Sequence, residues 1–578
     1  MTFLKMSGAD TGITGIFIDG WSNMKEQYLD IMEKALAAYT QERIRDYINE
    51  VRRDGLSEHG FPRLAVNIGI LIACGRRKEL LDTFTEMMDI CCDEIPKHKT
   101  QSDFSVREVC CCLMLLEKKR IVSDELLRKW KAKMTSFDPW RLYTVVAKSP
   151  DTPIGNWAMF AAVSEFVRGV YCGVDTTEFV DWQISSQLLS LDCNGMYQDD
   201  PPVKNPMVYD LVPRQLMAFL LMFGYKGKFA ERIENALDGA AELTLKMQSV
   251  TGEIPYGGRS NQFLNNEPML TAYCELEAAR YARRDDIRRA GEFKAAAALA
   301  AERTLGYLNR KPISHIKNRY NISTRIGCED YGYFNKYMIT VASNIYMGYL
   351  FADDSVIPAV SPAERGGYAI STSDRFHKTF LNAGGYFIEL DTNADLHYDA
   401  NGLGRVHKKG CSSVVCLSVP FPSCPNYTLE RENPGAMSIC CYAESGGKIL
   451  LGSEEYAEYE LLDSSADENT ASAVFSCKLS DSITVRQEYR LSENGLDISL
   501  SGAENIGFML PVFDFDGAEN TAVAVSEKSV LAEYDGSVCV YSFDGRLSPD
   551  YKYYCNRNGR YRVYSVETKH LHIEIKGE

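Results

Sequence analysis

Carboxylates set close to tyrosine and glycine occur in three separate stretches of this 578-residue chain, as adjacent pairs in the first and third. The first, Asn194-Gly195-Met196-Tyr197-Gln198-Asp199-Asp200-Pro201-Pro202, leads to Tyr209-Asp210. Paired carboxylates on a loop stiffened by proline suit general acid/base work on a glycosidic bond, where one stays protonated while the other is ionised. The same acids would also serve as ordinary turn residues. The second stretch, Thr251-Gly252-Glu253-Ile254-Pro255-Tyr256-Gly257-Gly258-Arg259-Ser260-Asn261-Gln262-Phe263, combines a carboxylate, a backbone open to close approach, a guanidinium fork and an amide. It lacks the spacing and the Lys-Ser/Thr ending of a phosphate loop. The third runs from Arg325 through Glu329-Asp330-Tyr331 to Lys336-Tyr337. There the two acids read either as a catalytic pair beside sugar-stacking rings or as acids favouring a helix N-terminus. Asn156-Trp157 adds a ring face and an amide, a combination that grips sugars and is equally at home in a core. Finally, 391–407 holds His397, Tyr398, Arg405 and His407 in a glycine-containing turn. His and Asp can ligate a metal, but the spacing matches no closed motif; the simpler reading is a loop reaching over to the substrate, or a turn capped by Asp, and no metal or cofactor is assigned.

These stretches fall between helices in a regular rhythm. Helix-period segments lie near 158–172, 176–191, 209–223, 228–249, 267–283, 289–309 and 335–351, preceded by others near 23–53, 62–93, 105–117, 123–134 and 141–147. Links alternate short (173–175, 224–227, 284–288) and long (192–208, 250–266, 310–334). In an antiparallel stack every second link emerges at the same end, so the long loops should share one face of a ring of six helical hairpins. Beyond 353–362 the pattern changes to short alternating runs separated by Gly, Asn and Asp turns, the mark of a sandwich of two antiparallel sheets. The expected organisation is an (α/α)6 toroid over 1–355 followed by a β-sandwich over 363–578, which packs on the toroid and lends a loop to its site.

Composition narrows the partners. A formal net charge of −16 argues against nucleic acid and anionic membranes. No apolar stretch reaches the length of a membrane span, and the first residues lack the features of a secretory leader, so a cytoplasmic location is expected. The 18 cysteines include the neighbours Cys91-Cys92, Cys110-Cys111-Cys112 and Cys440-Cys441 without any CxxC, which fits reduced, buried thiols. A homo-oligomer is suggested only by the extent of the sandwich surface.

The phrases GMYQDDPPVKNPMVYDLVPRQ, TGEIPYGGRSNQF, GCEDYGYFNKYM and HYDANGLGRVH resemble glycoside hydrolase family 154, the gut-bacterial β-glucuronidases built as toroid plus sandwich. More distantly the chain resembles the heparinase II/III-like polysaccharide lyases. The first resemblance implies an exo-acting hydrolase that releases a uronic acid from an acidic oligosaccharide. Its candidate acids and bases are Asp210, Glu253, Glu329 and Asp330, with Tyr209 beside the reacting sugar. Asn156, Trp157, Asp200, Arg259, Asn261, Tyr331, His397, Tyr398 and Arg405 would bind the substrate. The second implies β-elimination, in which Asn and His neutralise the uronate carboxylate while Tyr removes the C5 proton. Tyr209 matches that pattern; Asp210 and Trp157 stand where those lyases place His, which weighs toward hydrolysis. A glycan-binding protein without catalysis is the remaining alternative.

Overall fold

The computed structural model describes residues 23–97, 102–199, 207–419, 427–430 and 435–577. Helices fill its first part. They are α1 (Met24–Ala35), α2 (Gln41–Asp54), α3 (Gly60–Ala73), α4 (Leu81–Glu94), α5 (Ser102–Lys119), α6 (Asp124–Thr135) and the one-turn α7 (Pro139–Leu142). After these come α8 (Trp157–Cys172), α9 (Thr177–Gln187), α10 (Met207–Phe223), α11 (Ala230–Met247), α12 (Asn266–Ala282), α13 (Ile287–Asn309) and α14 (Phe334–Phe351). Helices α3, α5, α8, α10, α12 and α14 pack each on the next, and α14 returns to α3, which closes an inner ring. Outside it α4 packs on α3, α6 on α5 and α8, α9 on α8, α11 on α10, α13 on α12, and α1 on α14. Sequence dictates the two layers. Every residue of α3 is buried and nearly all are apolar, which suits an inner helix. In contrast α2 buries only Ile44, Ile48 and Val51, one stripe of an otherwise charged helix.

Two expected long helices are each divided. The segment 23–53 breaks where the Thr40 hydroxyl accepts from the Arg43 N–H at 3.3 Å and caps α2. The segment 62–93 breaks after Gly75, whose φ of +87° ends α3. The helix expected at 141–147 reduces to α7.

Strands follow. A four-stranded sheet in the order β1-β2-β3-β4 joins β1 (Tyr368–Ser371), β2 (Lys378–Ala383), β3 (Tyr386–Asp391) and β4 (Gly402–Lys408). The remaining strands are β5 (Cys440–Ser445), β6 (Lys448–Leu451), β7 (Glu458–Ala466), β8 (Ala471–Ser480), β9 (Ile483–Ser492), β10 (Gly495–Ser501), β11 (Ile506–Phe515), β12 (Ala522–Val525), β13 (Ser529–Tyr534), β14 (Ser537–Phe543), β15 (Arg546–Asn556), β16 (Gly559–Glu567) and β17 (His570–Gly577). They form an eight-stranded sheet, β12-β13-β14-β17-β10-β9-β8-β7, and a five-stranded one, β15-β16-β11-β5-β6. All pairings are antiparallel. The β part thus has three sheets where two were expected. The four-stranded sheet and the five-stranded sheet both pack against the eight-stranded one. The alternating run 413–419 is in none of the three sheets; its bridges are isolated ones, Arg405 with Leu417 and Val419 with Met437.

The two parts share an apolar seam, in which Met196, Met207, Met247 and Val250 of the toroid meet Phe376, Phe380 and Phe387 of the four-stranded sheet. Beside it runs a polar one. Glu253 bonds Arg303 and Tyr307 of α13 and the Ser413 hydroxyl, and Glu389 of β3 accepts from the Tyr256 N–H at 3.0 Å. The β15–β16 turn grips both neighbouring loops. Asn558 donates to Gln262 at 3.0 Å, Arg557 pairs with Glu329, and the Asn318 amide donates to the Arg557 carbonyl at 2.7 Å. The second and third long loops are therefore held from the β side.

Candidate active site

The inner helices all begin at one end of the ring, and their first turns surround a cavity of about 430 Å³. His59 and Arg63 enter from the start of α3, Phe104 and Arg107 from α5, and Asn156, Trp157 and Phe160 from α8. Tyr209, Val212 and Gln215 come from α10, Asn265 and Met269 from α12, and Lys336, Tyr337, Thr340 and Asn344 from α14. Arg259, Ser260 and Tyr331 close it from the second and third long loops. Helix N-termini carry partial positive charge. Together with Arg63, Arg107, Arg259 and Lys336 they make this cavity favourable to anions. Among the described residues no Asp or Glu lines it.

At its mouth three hydroxyls form a chain. The Tyr209 hydroxyl lies 2.9 Å from Ser260 Oγ, which lies 2.6 Å from the Tyr331 hydroxyl. Ser260 sits at φ +61°, a left-handed conformation costly for a residue with a Cβ. Its geometry is held because its N–H donates to Glu329 Oε1 at 3.2 Å and its carbonyl accepts from the Asn266 amide at 3.2 Å. The Arg259 guanidinium lies 4.4 Å above the Tyr209 ring and bonds Asp199 Oδ2 at 3.3 Å. Burial works against its charge, but Tyr209, Tyr331 and Asp199 outweigh that and raise its pKa above the ordinary arginine value. Desolvation around its hydroxyl, reinforced by Tyr209, raises the Tyr331 phenol far above its usual range, so Tyr331 stays protonated; either partner can donate in its bond with Ser260. Asn156 ends the loop before α8, with its backbone N–H and its amide both bonded to Asp199 at 2.8 Å. Its amide carries a second hydrogen, free to point at a ligand. Trp157 packs edge-on to Phe104 at 5.0 Å and shows the rest of its face to the cavity.

Of the residues singled out from the sequence, Tyr209, Arg259, Tyr331, Asn156 and Trp157 line this one cavity. Tyr398 lies just behind, stacked on Tyr427 at 6.0 Å under the Arg557 guanidinium. Glu329 is one layer back, 1% exposed, and paired with Arg557, with Oε2 unpartnered. Others are elsewhere. Asp210 turns away from the cavity into a buried pair with Arg214, its second partner being the Tyr197 N–H at 2.7 Å. Glu253 belongs to the polar seam. Asn261 donates to the Pro255 carbonyl at 2.8 Å and shapes its own loop. Asp330 is exposed. His397 is bonded to Asp395 at 3.0 Å, outside the cavity lining. Arg405 is not on a loop at all: 391–407 is a turn only as far as Asn401, and β4 then places Arg405 opposite Glu389 in a sealed sheet interior. Asp200 lies outside the described residues.

No protein-family model matches the sequence, and no curated protein does. Solved structures similar in the course of the chain include a chondroitin AC lyase from Streptomyces coelicolor, 12% identical, with a TM-score of 0.46 over 97% of this chain and 80% of that one. A heparan sulfate lyase from Pedobacter heparinus is 9% identical, with a TM-score of 0.42 over 89% of this chain and 76% of its own. A family 88 glycosyl hydrolase from Bacteroides vulgatus is 10% identical, with a TM-score of 0.35 over 56% of this chain and 99% of its own.

Sequence reasoning missed Ser260 as a site residue, although it named the loop, and missed His59, Arg63, Phe104 and Arg107 altogether. A signal existed for the arginines: FPRLAVNIGILIA and SVREVCCCLMLL are apolar helices interrupted by a charge, and a charge inside such a helix faces either a partner or a cavity.

Proposed function

We propose that the chain is an enzyme that cleaves uronate-containing polysaccharides or oligosaccharides by β-elimination, with Tyr209 at the reacting carbon. One observation carries the reading: the Tyr209–Ser260–Tyr331 hydroxyl chain stands at the mouth of a cavity lined by Arg63, Arg107, Arg259 and Lys336. Most glycosidases place two carboxyl groups on either side of the scissile bond, about 5–9.5 Å apart. Elimination needs instead positive charge and hydrogen bonds on the uronate carboxylate, which make the adjacent C–H acidic, and a group that removes that proton. Arg259 and the free amide hydrogen of Asn156 suit the first task, Tyr209 the second. The C5 proton passes to the Tyr209 oxygen as the C4–O4 bond breaks and a C4–C5 double bond forms. The departing O4 takes a proton from Tyr209, so atoms balance without water. Ser260 and protonated Tyr331 hold the Tyr209 oxygen in place.

A uronate-releasing hydrolase, the β-glucuronidase-like reading, is the second possibility. Its support is the unpartnered Oε2 of buried Glu329 next to the hydroxyl chain. One assay separates the two. Elimination produces an unsaturated uronate that absorbs in the near ultraviolet, whereas hydrolysis produces a new reducing end without that absorbance. Reducing ends appearing with no rise in near-ultraviolet absorbance would overturn elimination in favour of hydrolysis.

A further inference from the structure

Where α3 and α5 meet, the cavity wall holds a second cationic group that the proposed chemistry does not use. Arg107 of α5 is 3% exposed and lines the cavity. Its Nη2 donates to Glu108 Oε1 at 3.1 Å, but its Nε and Nη1 have no partner. Arg63 stands alongside, bonded to the same carboxylate through Nε at 3.0 Å and Nη2 at 2.9 Å. Two guanidinium groups thus share one carboxylate, leaving an excess positive charge in a nearly closed space. The rings beside it, Phe160 and Phe219 with centroids 5.8 and 5.4 Å from the Arg107 guanidinium carbon, offer a cation–π face but no lone pair to accept its free N–H groups. Leaving a buried charged donor unpaired is costly, and such groups are kept where something else completes them.

We infer that Arg107 and Arg63 form an anion subsite on the α3–α5 side of the cavity, which takes a carboxylate or sulfate on a sugar other than the one at Tyr209. The ring order supports this. In the closed ring of six inner helices α3 stands three places from α10, so Arg63 and Tyr209 enter the cavity from opposite sides, with Arg107 on α5 next to α3. With Nη2 committed to Glu108, Arg107 keeps its Nε–H and its Nη1 hydrogens as unused, charge-assisted donors for an oxyanion. The inference rests on the reading of the cavity as a uronate-sugar site and specifies its substrate: an oligosaccharide with acidic groups on more than one residue.

The test is calorimetric titration of the full chain with sodium sulfate and, separately, sodium glucuronate, repeated with Arg107→Met and Arg107→Lys after checking that each melts cooperatively. The expected result is saturable binding by the native chain, weakened at least tenfold in Arg107→Met and by a smaller factor in Arg107→Lys, which keeps the charge but loses the guanidinium donors. Comparing a glucuronate tetrasaccharide with its sulfated counterpart then tells which anion is the natural occupant. No saturable heat with either salt, or equal affinities in the native chain and a folded Arg107→Met or Arg107→Lys variant, overturns the inference. Absence of unsaturated product does not bear on it, since binding is read without turnover.

Discussion

Tyr209 has two neighbours that define what its loss should do. Its hydroxyl meets Ser260 at 2.9 Å, and its ring lies under Arg259 at 4.4 Å. Tyr209→Phe keeps the ring and the cation contact and removes only the oxygen. Ser260 still has Tyr331 at 2.6 Å, so no buried group is orphaned and the fold should be unaffected. Turnover should fall by about 10²–10⁴, the usual worth of a positioned acid/base group, with the melting temperature unchanged. Near-ultraviolet assay beside a thermal melt checks both halves. Retained turnover would remove Tyr209 from the reaction.

At the scale of elements, the second and third long loops owe their shapes to the β domain. Gly257 has φ +92°, and a Cβ there would come 2.6 Å from Asp399 Oδ2. Asp399 cannot yield, because Lys378 Nζ and the Ser418 hydroxyl hold it at 3.0 and 2.6 Å. Gly257→Ala should therefore cost about 1–3 kcal/mol through backbone strain and shift Arg259 and Ser260. A denaturation midpoint and a raised KM would show it. The glycine pair was read from the sequence as backbone kept open for a ligand; for Gly257 the close neighbour is a carboxylate of the other domain. Under the third loop His315 is 1% exposed, with Nε2 3.1 Å from Cys328 Sγ. Burial first, then Arg325, lowers its pKa to about 4 from 6.5. The unfolded chain therefore binds a proton that the folded chain refuses. His315 contributes stability that is full above pH 6.5 and lost as the pH falls toward 4, worth about 3 kcal/mol. Urea midpoints measured between pH 7 and 4 should fall less steeply in a folded His315→Gln variant than in the native chain.

At the scale of the whole molecule, chain order alone says that alternate loops share an end, and the rhythm of link lengths made that visible. Helix α8 and helices α10–α14 stand within a few residues of their expected positions because their 3.6-residue pattern is long and uninterrupted. The division between buried lining and buried scaffold was not visible, since a carboxylate among tyrosines looks the same in a site as in an ion pair. Asp210 and Glu253 show this: Asp210 pairs with Arg214 one turn on along α10, and Glu253 with Arg303, fifty residues away in the chain. Strand β4 was hidden because Gly402 and Gly404 imitate a turn. Glu253 permits a decisive test of scaffold against site. Burial alone would raise its pKa, but Lys317 and then Arg303 outweigh burial and hold it well below 4.5. A depressed carboxylate stabilises the fold above its unfolded pKa and loses that contribution as the pH drops through the folded one. The native chain should therefore weaken steeply below about pH 4.5. Glu253→Gln leaves Lys317 and Arg303 facing a neutral amide, and breaking a buried ion pair from one side costs about 3–5 kcal/mol. Its stability at neutral pH should drop by that order while its acid limb flattens. Because Glu253 lies in the seam and not in the cavity lining, kcat and KM at 25 °C should stay close to native. A variant of native stability that has lost turnover would return Glu253 to the chemistry and take the division of labour between the seam and the cavity with it.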